Sequence, residues 1–324
     1  MPSCSRPINI PAVRSSSGRS ALVPCGKCAE CYQRKRQGWI LRAQYEMQGE
    51  FKYSYFITLS FDDEHLTYES YSQVKNGVPV NPVSTGEPVL CPYELRKFFE
   101  RFRVFSGERF SYFACGEYGD VDNTHRPHFH ICLWCNLNWK DTLFYVRLAW
   151  SRLRPETREE RAKRYKSAKL AGHPIKRSAY DLRNRVPYGR DQVRSLSYKR
   201  ISYVSKYVTK QVGSNEVVPT FYRASKKLGV SFLQSVVCQR LSELNVHYTY
   251  LQSGVPCSLP RYYSQHMFTF QQMEQFQLDC IYRDFPFDEN TPWECIVAGV
   301  KHKRYVESNQ RRKRLLLMQG VRLS

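Results

Sequence analysis

No apolar run in the chain is long enough to cross a bilayer. Its longest aliphatic stretch is Leu315-Leu316-Leu317-Met318, against the roughly 20 residues that a spanning helix needs. No membrane partner is expected. The N-terminus, Met1-Pro2-Ser3-Cys4-Ser5-Arg6, has no apolar segment behind its charge, so no export signal is predicted and the cytoplasm is the expected compartment. Acidic residues are scarce, with 29 Asp and Glu against 50 Lys and Arg and a formal net charge of +21. Such an excess speaks of a polyanionic partner rather than of a fold. Internal repeats and low-complexity tracts are absent. In a chain that is not exported, the 12 cysteines are then expected to be reduced, buried or metal-bound rather than disulfide-linked.

What is present is organised around Pro127-His128-Phe129-His130-Ile131-Cys132-Leu133-Trp134, which reads as a strand. Successive strand side chains alternate between faces, so His128 and His130 project together onto a face expected to be wet, while Phe129, Ile131 and Leu133 project into a core. Pro127 suits the first position, where its missing N–H need not join the ladder. Two imidazoles so spaced can grip one divalent ion. Residues 110–117 read as the preceding strand, with Phe113, Cys115 and Glu117 on one face. Gly119-Asp120-Val121-Asp122-Asn123 then turns the chain into the histidine strand, an antiparallel hairpin that makes Glu117 a neighbour of the histidines. Asp120 and Asp122 are its substitutes.

Around this hairpin, residues 53–61 are dense in aromatic and β-branched side chains and read as a central strand. Residues 62–91 are rich in turn formers and read as a surface excursion. Pro92 opens a helix with Leu95, Phe98, Phe99 and Phe102 at core spacing, and residues 139–153 form another through Leu143, Val146 and Trp150. Residues 154–190 are crowded with Arg and Lys and read as a basic insertion able to contact phosphates. Residues 197–212 read as a helix ended by Gly213, with Ile201, Val204, Val208 and Val212 on one stripe. Tyr203, Tyr207, Lys199, Lys206 and Lys210 fall on the adjoining side. Histidines, carboxylate and tyrosines together are the parts of a metal-assisted phosphodiester transferase.

Near the N-terminus, Cys25 and Cys28 form a C-x-x-C pair and Cys31 lies one helical turn on. Cys4 could return as a fourth thiolate, and such a set would hold a structural zinc ion. Three consecutive pieces are expected: a Cys-rich segment and helix over 1–50, a catalytic domain over 51–215 and a basic, aromatic extension over 216–324.

Phe56-Ile57-Thr58-Leu59-Ser60, Pro127-His128-Phe129-His130 and Tyr203-Val204-Ser205-Lys206-Tyr207 resemble the three motifs of the HUH rolling-circle replication initiators. With Pro24-Cys25-Gly26-Lys27-Cys28-Ala29-Glu30-Cys31, they resemble the replication initiation proteins of microviruses, most closely the gokushovirus branch. The resemblance runs from Cys25 to about Tyr263. It implies an α+β fold with a central antiparallel sheet and flanking helices, an RRM- or ferredoxin-like core, and an active site on one sheet face. It also implies a magnesium or manganese ion on His128 and His130, with Glu117 as the chosen third ligand, and Tyr203 and Tyr207 as alternating nucleophiles. The implied activity nicks the viral origin, on single-stranded or supercoiled DNA, through a 5′-phosphotyrosine. A 3′-hydroxyl primer is freed and circular single strands are rejoined. Lys206 and Lys210 are candidates to favour the phenolate or neutralise the transition state. Implied partners are the host helicase and polymerase, in the cytoplasm of a bacterial host.

The competing reading is a non-catalytic, zinc-containing nucleic-acid-binding regulator. It accounts for the charge and the cysteines but leaves the histidine and tyrosine motifs as coincidence. An iron enzyme of the cupin type needs a further ligand soon after the histidine pair, and Ile131-Cys132-Leu133-Trp134 offers none.

Overall fold

The computed structural model describes residues 4–10, 21–68, 74–75, 78–79, 88–119, 126–174, 176, 178–209, 218–288 and 290–318. The chain divides into two compact units, Glu46–Leu228 and Met1–Tyr45 with Gly229–Ser324. In chain order the helices are α1 (Ala29–Glu46), α2 (Pro92–Ser106), α3 (Trp139–Ala149), α4 (Arg158–Ala171) and α5 (Tyr198–Lys206), then α6 (Val236–Glu243), α7 (Arg261–Met267), α8 (Phe270–Asp284) and α9 (Trp293–Met318). The main sheet has β1 (Tyr53–Ser60), β2 (Phe110–Tyr118), β3 (Pro127–Cys135), β4 (Asp191–Ser195) and β5 (Phe221–Ala224). Among the described residues no helix is long and apolar enough to cross a membrane.

The unit Glu46–Leu228 is built on this five-stranded sheet, antiparallel throughout, in the spatial order β4-β1-β3-β2-β5. The path β1-α2-β2-β3-α3-β4 is a split β-α-β arrangement, so the fold is α+β with a central antiparallel sheet and flanking helices. The histidine strand β3 is the middle strand, paired along its length on both sides. One face packs on α2 and α3. Ile57, Leu59, Phe129 and Ile131 from the sheet meet Leu95, Phe98, Phe99 and Phe102 of α2, with Val146 and Ala149 of α3 and Trp150 just beyond. Ile57, Leu59, Phe129 and Ile131 are fully shielded from solvent, and each such side chain contributes on the order of 2 kcal/mol on burial. The strand that carries the histidines is thereby anchored from behind.

The histidine face is not the wet face its alternation predicts. Helix α5 folds over β2 and β3, and Cys115, Cys132, Trp134, Ile201, Val204 and Val208 are all fully buried between them. Cys132 and Trp134 alternate with Ile131 and Leu133, so the second half of β3 is apolar on both faces, as two-sided burial requires. Only the entry of the strand, at His128, stays partly open.

Two helices stop earlier than their periodicity predicts. Ser151 Oγ donates to the Arg147 and Leu148 carbonyls, and α3 ends at Ala149. Residues Ser151–Leu153 instead pair with Arg185–Pro187 in a two-stranded ribbon. Helix α5 ends at Lys206, with Tyr207 as its C-cap. Beyond it the amides of Val208 and Thr209 bond three residues back, at 3.2 and 3.1 Å, the tighter turn common at helix ends. Residues 210–213, with Lys210 and the predicted terminator Gly213, lie outside the described residues. In the basic insertion, α4 begins with a capping box between Thr157 and Glu160 and buries none of its residues. It is a solvated, charged helix.

In the unit Met1–Tyr45 with Gly229–Ser324, a ribbon pairs Ile8–Ile10 with Ala21–Val23. Leu22 from that ribbon packs with Ile281 of α8 and Ile296, Val297 and Val300 of α9. A second set of contacts joins Tyr45 to Phe232 and Tyr263, and Tyr263 Oη donates to the Gly229 carbonyl at 2.7 Å. The C-terminal region thus has an ordered helical fold that its sequence pattern does not announce.

Candidate active site

Strand register brings the catalytic candidates to one point. Glu117 on β2 pairs directly with His128 on β3, and Thr58 on β1 pairs with His130. Directly opposed residues of antiparallel strands project to the same face. Side chains from three adjacent strands therefore meet at the entry of β3, where α5 crosses them. Glu117 is buried at 3% exposure, and its Oε1 is the centre of the group. His128 Nε2 lies 3.1 Å from it and His130 Nε2 2.7 Å. Tyr203 Oη donates to the same oxygen at 2.7 Å. Tyr207 Oη in turn donates to Tyr203 Oη at 3.0 Å. The ring of Tyr203 stands edge-on to His130, with centroids 5.1 Å apart.

The imidazoles are oriented from behind. His128 Nδ1 lies 3.0 Å from the Arg126 carbonyl, which can only accept, so Nδ1 carries the proton. Nε2 is thereby aimed at the Glu117 carboxylate oxygen, and that contact needs a proton on Nε2 or a cation beside the two atoms. His130 Nδ1 has a partner 3.0 Å away in Thr58 Oγ1. Burial alone would push the Glu117 carboxyl up, but hydrogen bonds from His128, His130 and Tyr203 more than offset it and hold it at about 2. The group is a carboxylate at any ordinary pH.

This donor set fits a divalent cation. One ligand atom from each of Glu117, His128 and His130 can be chosen so that all lie within 4.8 Å of one another. Neighbouring ligands of an octahedral ion with bonds of about 2.1 Å stand about 3 Å apart, close to the separations found. A cavity of about 750 Å³ opens on the group. Glu117, His128, Tyr203 and Tyr207 line it together with Arg126 and Arg190 and with Asp62 and Asp63, the last of which is ion-paired to Arg126.

Of the candidates read from the sequence, Glu117, His128, His130, Tyr203 and Tyr207 converge on one point. Lys206 is exposed, its ammonium 5.7 Å from the centroid of the Tyr203 ring, so it faces the ring. Lys210, Asp120 and Asp122 lie outside the described residues. Cys4, Cys25, Cys28 and Cys31 also come together, with sulfurs within 4.8 Å of one another. Thr58, Arg126 and Arg190 carry no signal in the single sequence that marks them as site residues. Thr58 sits inside the first motif, yet only the pairing register shows that it backs His130.

Comparison with known proteins bears on this same stretch. A relative from Spiroplasma virus 4, named Replication-associated protein ORF2, is 26% identical over 268 residues, covering 80% of this chain and 71% of its own. Another, Replication-associated protein VP4 of Bdellovibrio phage phiMH2K, is 23% identical over 250 residues, covering 75% of this chain and 67% of its own. No solved structure matches. The profile of one family, described as replication-associated protein ORF2/G2P, matches residues 54–212. That match takes in most of β1, both histidines, Glu117 and both tyrosines, and over that stretch the chain is similar to the replication-associated protein ORF2/G2P family.

Proposed function

We propose that this chain initiates rolling-circle replication of a circular phage genome by nicking the origin with a tyrosine. The observation that carries the reading is the meeting of Tyr203 Oη, His128 Nε2 and His130 Nε2 at one oxygen of Glu117. A nucleophile held beside two histidines and a carboxylate is what metal-assisted phosphoryl transfer needs. Glu117, His128 and His130 would hold magnesium or manganese, which when bound offsets the negative charge of a scissile phosphate and holds it in line. Glu117 aligns the Tyr203 phenol by accepting its hydrogen bond. The phenolic oxygen attacks phosphorus and gives up its proton; the bond to the DNA 3′-oxygen breaks, and that oxygen takes up a proton. The 5′ end stays on the tyrosine and the free 3′-hydroxyl can prime a polymerase. Attack by a regenerated 3′-hydroxyl reverses the step and closes a circle.

Tyr207, one helical turn from Tyr203, supplies the second nucleophile for the regenerated origin. The net charge of +21 supplies affinity for single-stranded and supercoiled DNA through dispersed phosphate contacts. The host helicase and polymerase would then act on the opened strand, in the cytoplasm of the bacterial host. Two histidines and a carboxylate also serve mononuclear iron oxygenases. Tyr203 on the same carboxylate, with Tyr207 hydrogen-bonded to it, and the similarity to replication-associated proteins favour phosphoryl transfer. The test is a denaturing gel of protein mixed with manganese and labelled single-stranded origin DNA. A protein-bound 5′ end supports nicking; a wild-type protein that binds the origin and forms no adduct supports the non-catalytic regulator instead.

A further inference from the structure

Outside the nuclease site, the described residues hold one other cluster of metal-ligating side chains, in the unit Met1–Tyr45 with Gly229–Ser324. The sulfurs of Cys4, Cys25, Cys28 and Cys31 lie within 4.8 Å of one another, and none is in a disulfide. Four thiolates bound at about 2.3 Å to one tetrahedral ion stand about 3.8 Å apart. Cys4 Sγ and Cys28 Sγ are 3.7 Å apart.

A second observation is independent of that spacing: the backbone is wrapped to donate to the sulfurs. The amides of Lys27 and Cys28 point at Cys25 Sγ from 3.4 and 3.3 Å, and the amide of Cys25 points at Cys4 Sγ from 3.2 Å. Gly26, between Cys25 and Cys28, takes φ +74°, a left-handed value that disfavours a side chain. Backbone amides so aimed are partners that the sulfur ligands of a metal accept. Cys4 and Cys31 are buried, and the four sulfurs stand at a spacing that one tetrahedral ion can take.

We propose that Cys4, Cys25, Cys28 and Cys31 bind a single zinc ion as a closed tetrathiolate site. Four protein ligands leave no open position, so the site is structural. Cys31 lies in the first turn of α1, and Glu30 beside it accepts from Ser308 Oγ of α9 at 2.9 Å. The ion therefore clamps the chain at Cys4 to the start of α1, whose first turn is already tied to α9. This inference rests on no part of the nuclease reading.

The test uses the full-length protein purified under reducing conditions. Elemental analysis is expected to find one equivalent of zinc, released by an organomercurial that caps thiols. Cobalt exchanged into the site should show the visible bands of a tetrahedral tetrathiolate. Cys4→Ser is expected to weaken zinc retention against a chelator by more than about 100-fold, beyond what a change outside the ligand shell produces. Cys295→Ser, an exposed cysteine outside the cluster, and His130→Ala should each keep the full equivalent. If Cys4→Ser does not fold, the cobalt spectrum of the wild type still decides. Folded protein that holds no zinc and takes up neither zinc nor cobalt after reduction would overturn the proposal. So would a bound iron–sulfur cluster, or zinc retained undiminished by Cys4→Ser.

Discussion

Tyr207 is linked to the carboxylate of Glu117 through Tyr203: its hydroxyl donates to that of Tyr203 at 3.0 Å, and Tyr203 donates to Glu117 at 2.7 Å. The two tyrosines are not equivalent. Tyr207, the C-cap of α5, is 4% exposed, while Tyr203 is half-buried at the cavity.

This order predicts different defects for the two Phe variants. Tyr203→Phe is expected to cut the first nick by at least about 100-fold, a loss of some 3 kcal/mol of transition-state stabilisation. Tyr207→Phe should nick within about tenfold of wild type yet fail to release repeated circles. Single-turnover nicking and multi-round circle production, measured side by side, separate the two. Equal first-nick defects would show that either tyrosine can start.

Thr58 is expected to act through His130. Its Oγ1 lies 3.0 Å from His130 Nδ1, and partners of this kind typically set metal affinity by about 10–100-fold. Thr58→Val, which keeps the shape and removes the hydroxyl, should raise the manganese concentration needed for half-maximal nicking by that order. The rate at saturating metal should recover. An unchanged metal requirement would mean that the hydroxyl does not tune the ring.

Much of this site is legible in the sequence because strand period two and the hairpin turn place Glu117 and the histidines on one face. Helical spacing does the same for Tyr203 and Tyr207. The roles of Thr58 and Arg126 are not legible: one depends on register between strands far apart in the chain, the other on a backbone carbonyl that no side-chain pattern reports. The α+β class is what the resemblance of the three motifs to the HUH initiators implies. The edge strand β5 does not, since Phe221–Ala224 is too short for periodicity to mark. Burial of the histidine face is hidden for a different reason. It comes from α5, some seventy residues later, and Cys132 and Trp134 are the only local hint.

Gly189 is expected to be intolerant of any side chain. A Cβ there would collide with the Ser60 carbonyl oxygen and the backbone of Phe61 and Asp62. The same stretch is tied by Ser60 N–H to the Arg190 carbonyl at 3.0 Å and Asp62 N–H to the Tyr188 carbonyl at 2.9 Å. Gly189→Ala should destabilise the protein by about 2–4 kcal/mol, the range of overpacked backbone contacts, measured by denaturant unfolding. A loss under about 0.5 kcal/mol would place it with ordinary surface changes.

DNA affinity is expected to be separable from cleavage. Non-specific binding should weaken with salt at a log–log slope of about −0.7 per phosphate contacted on single strands. His128→Ala should keep both slope and affinity while losing nicking, because phosphate contacts come from dispersed Lys and Arg. A flat salt response would point to a partner other than DNA, and lost binding in His128→Ala would make the histidine a DNA contact.

The most direct measurement is the site of covalent attachment. Wild-type protein is reacted with a single-stranded origin and manganese, the DNA trimmed by nuclease, and the modified peptide located by mass. A 5′-phosphotyrosine on Tyr203 in the first turnover, appearing on Tyr207 as rounds proceed, is the expected result. An adduct on any residue other than these two, or cleavage with no adduct at all, would contradict tyrosine chemistry at Glu117, His128 and His130.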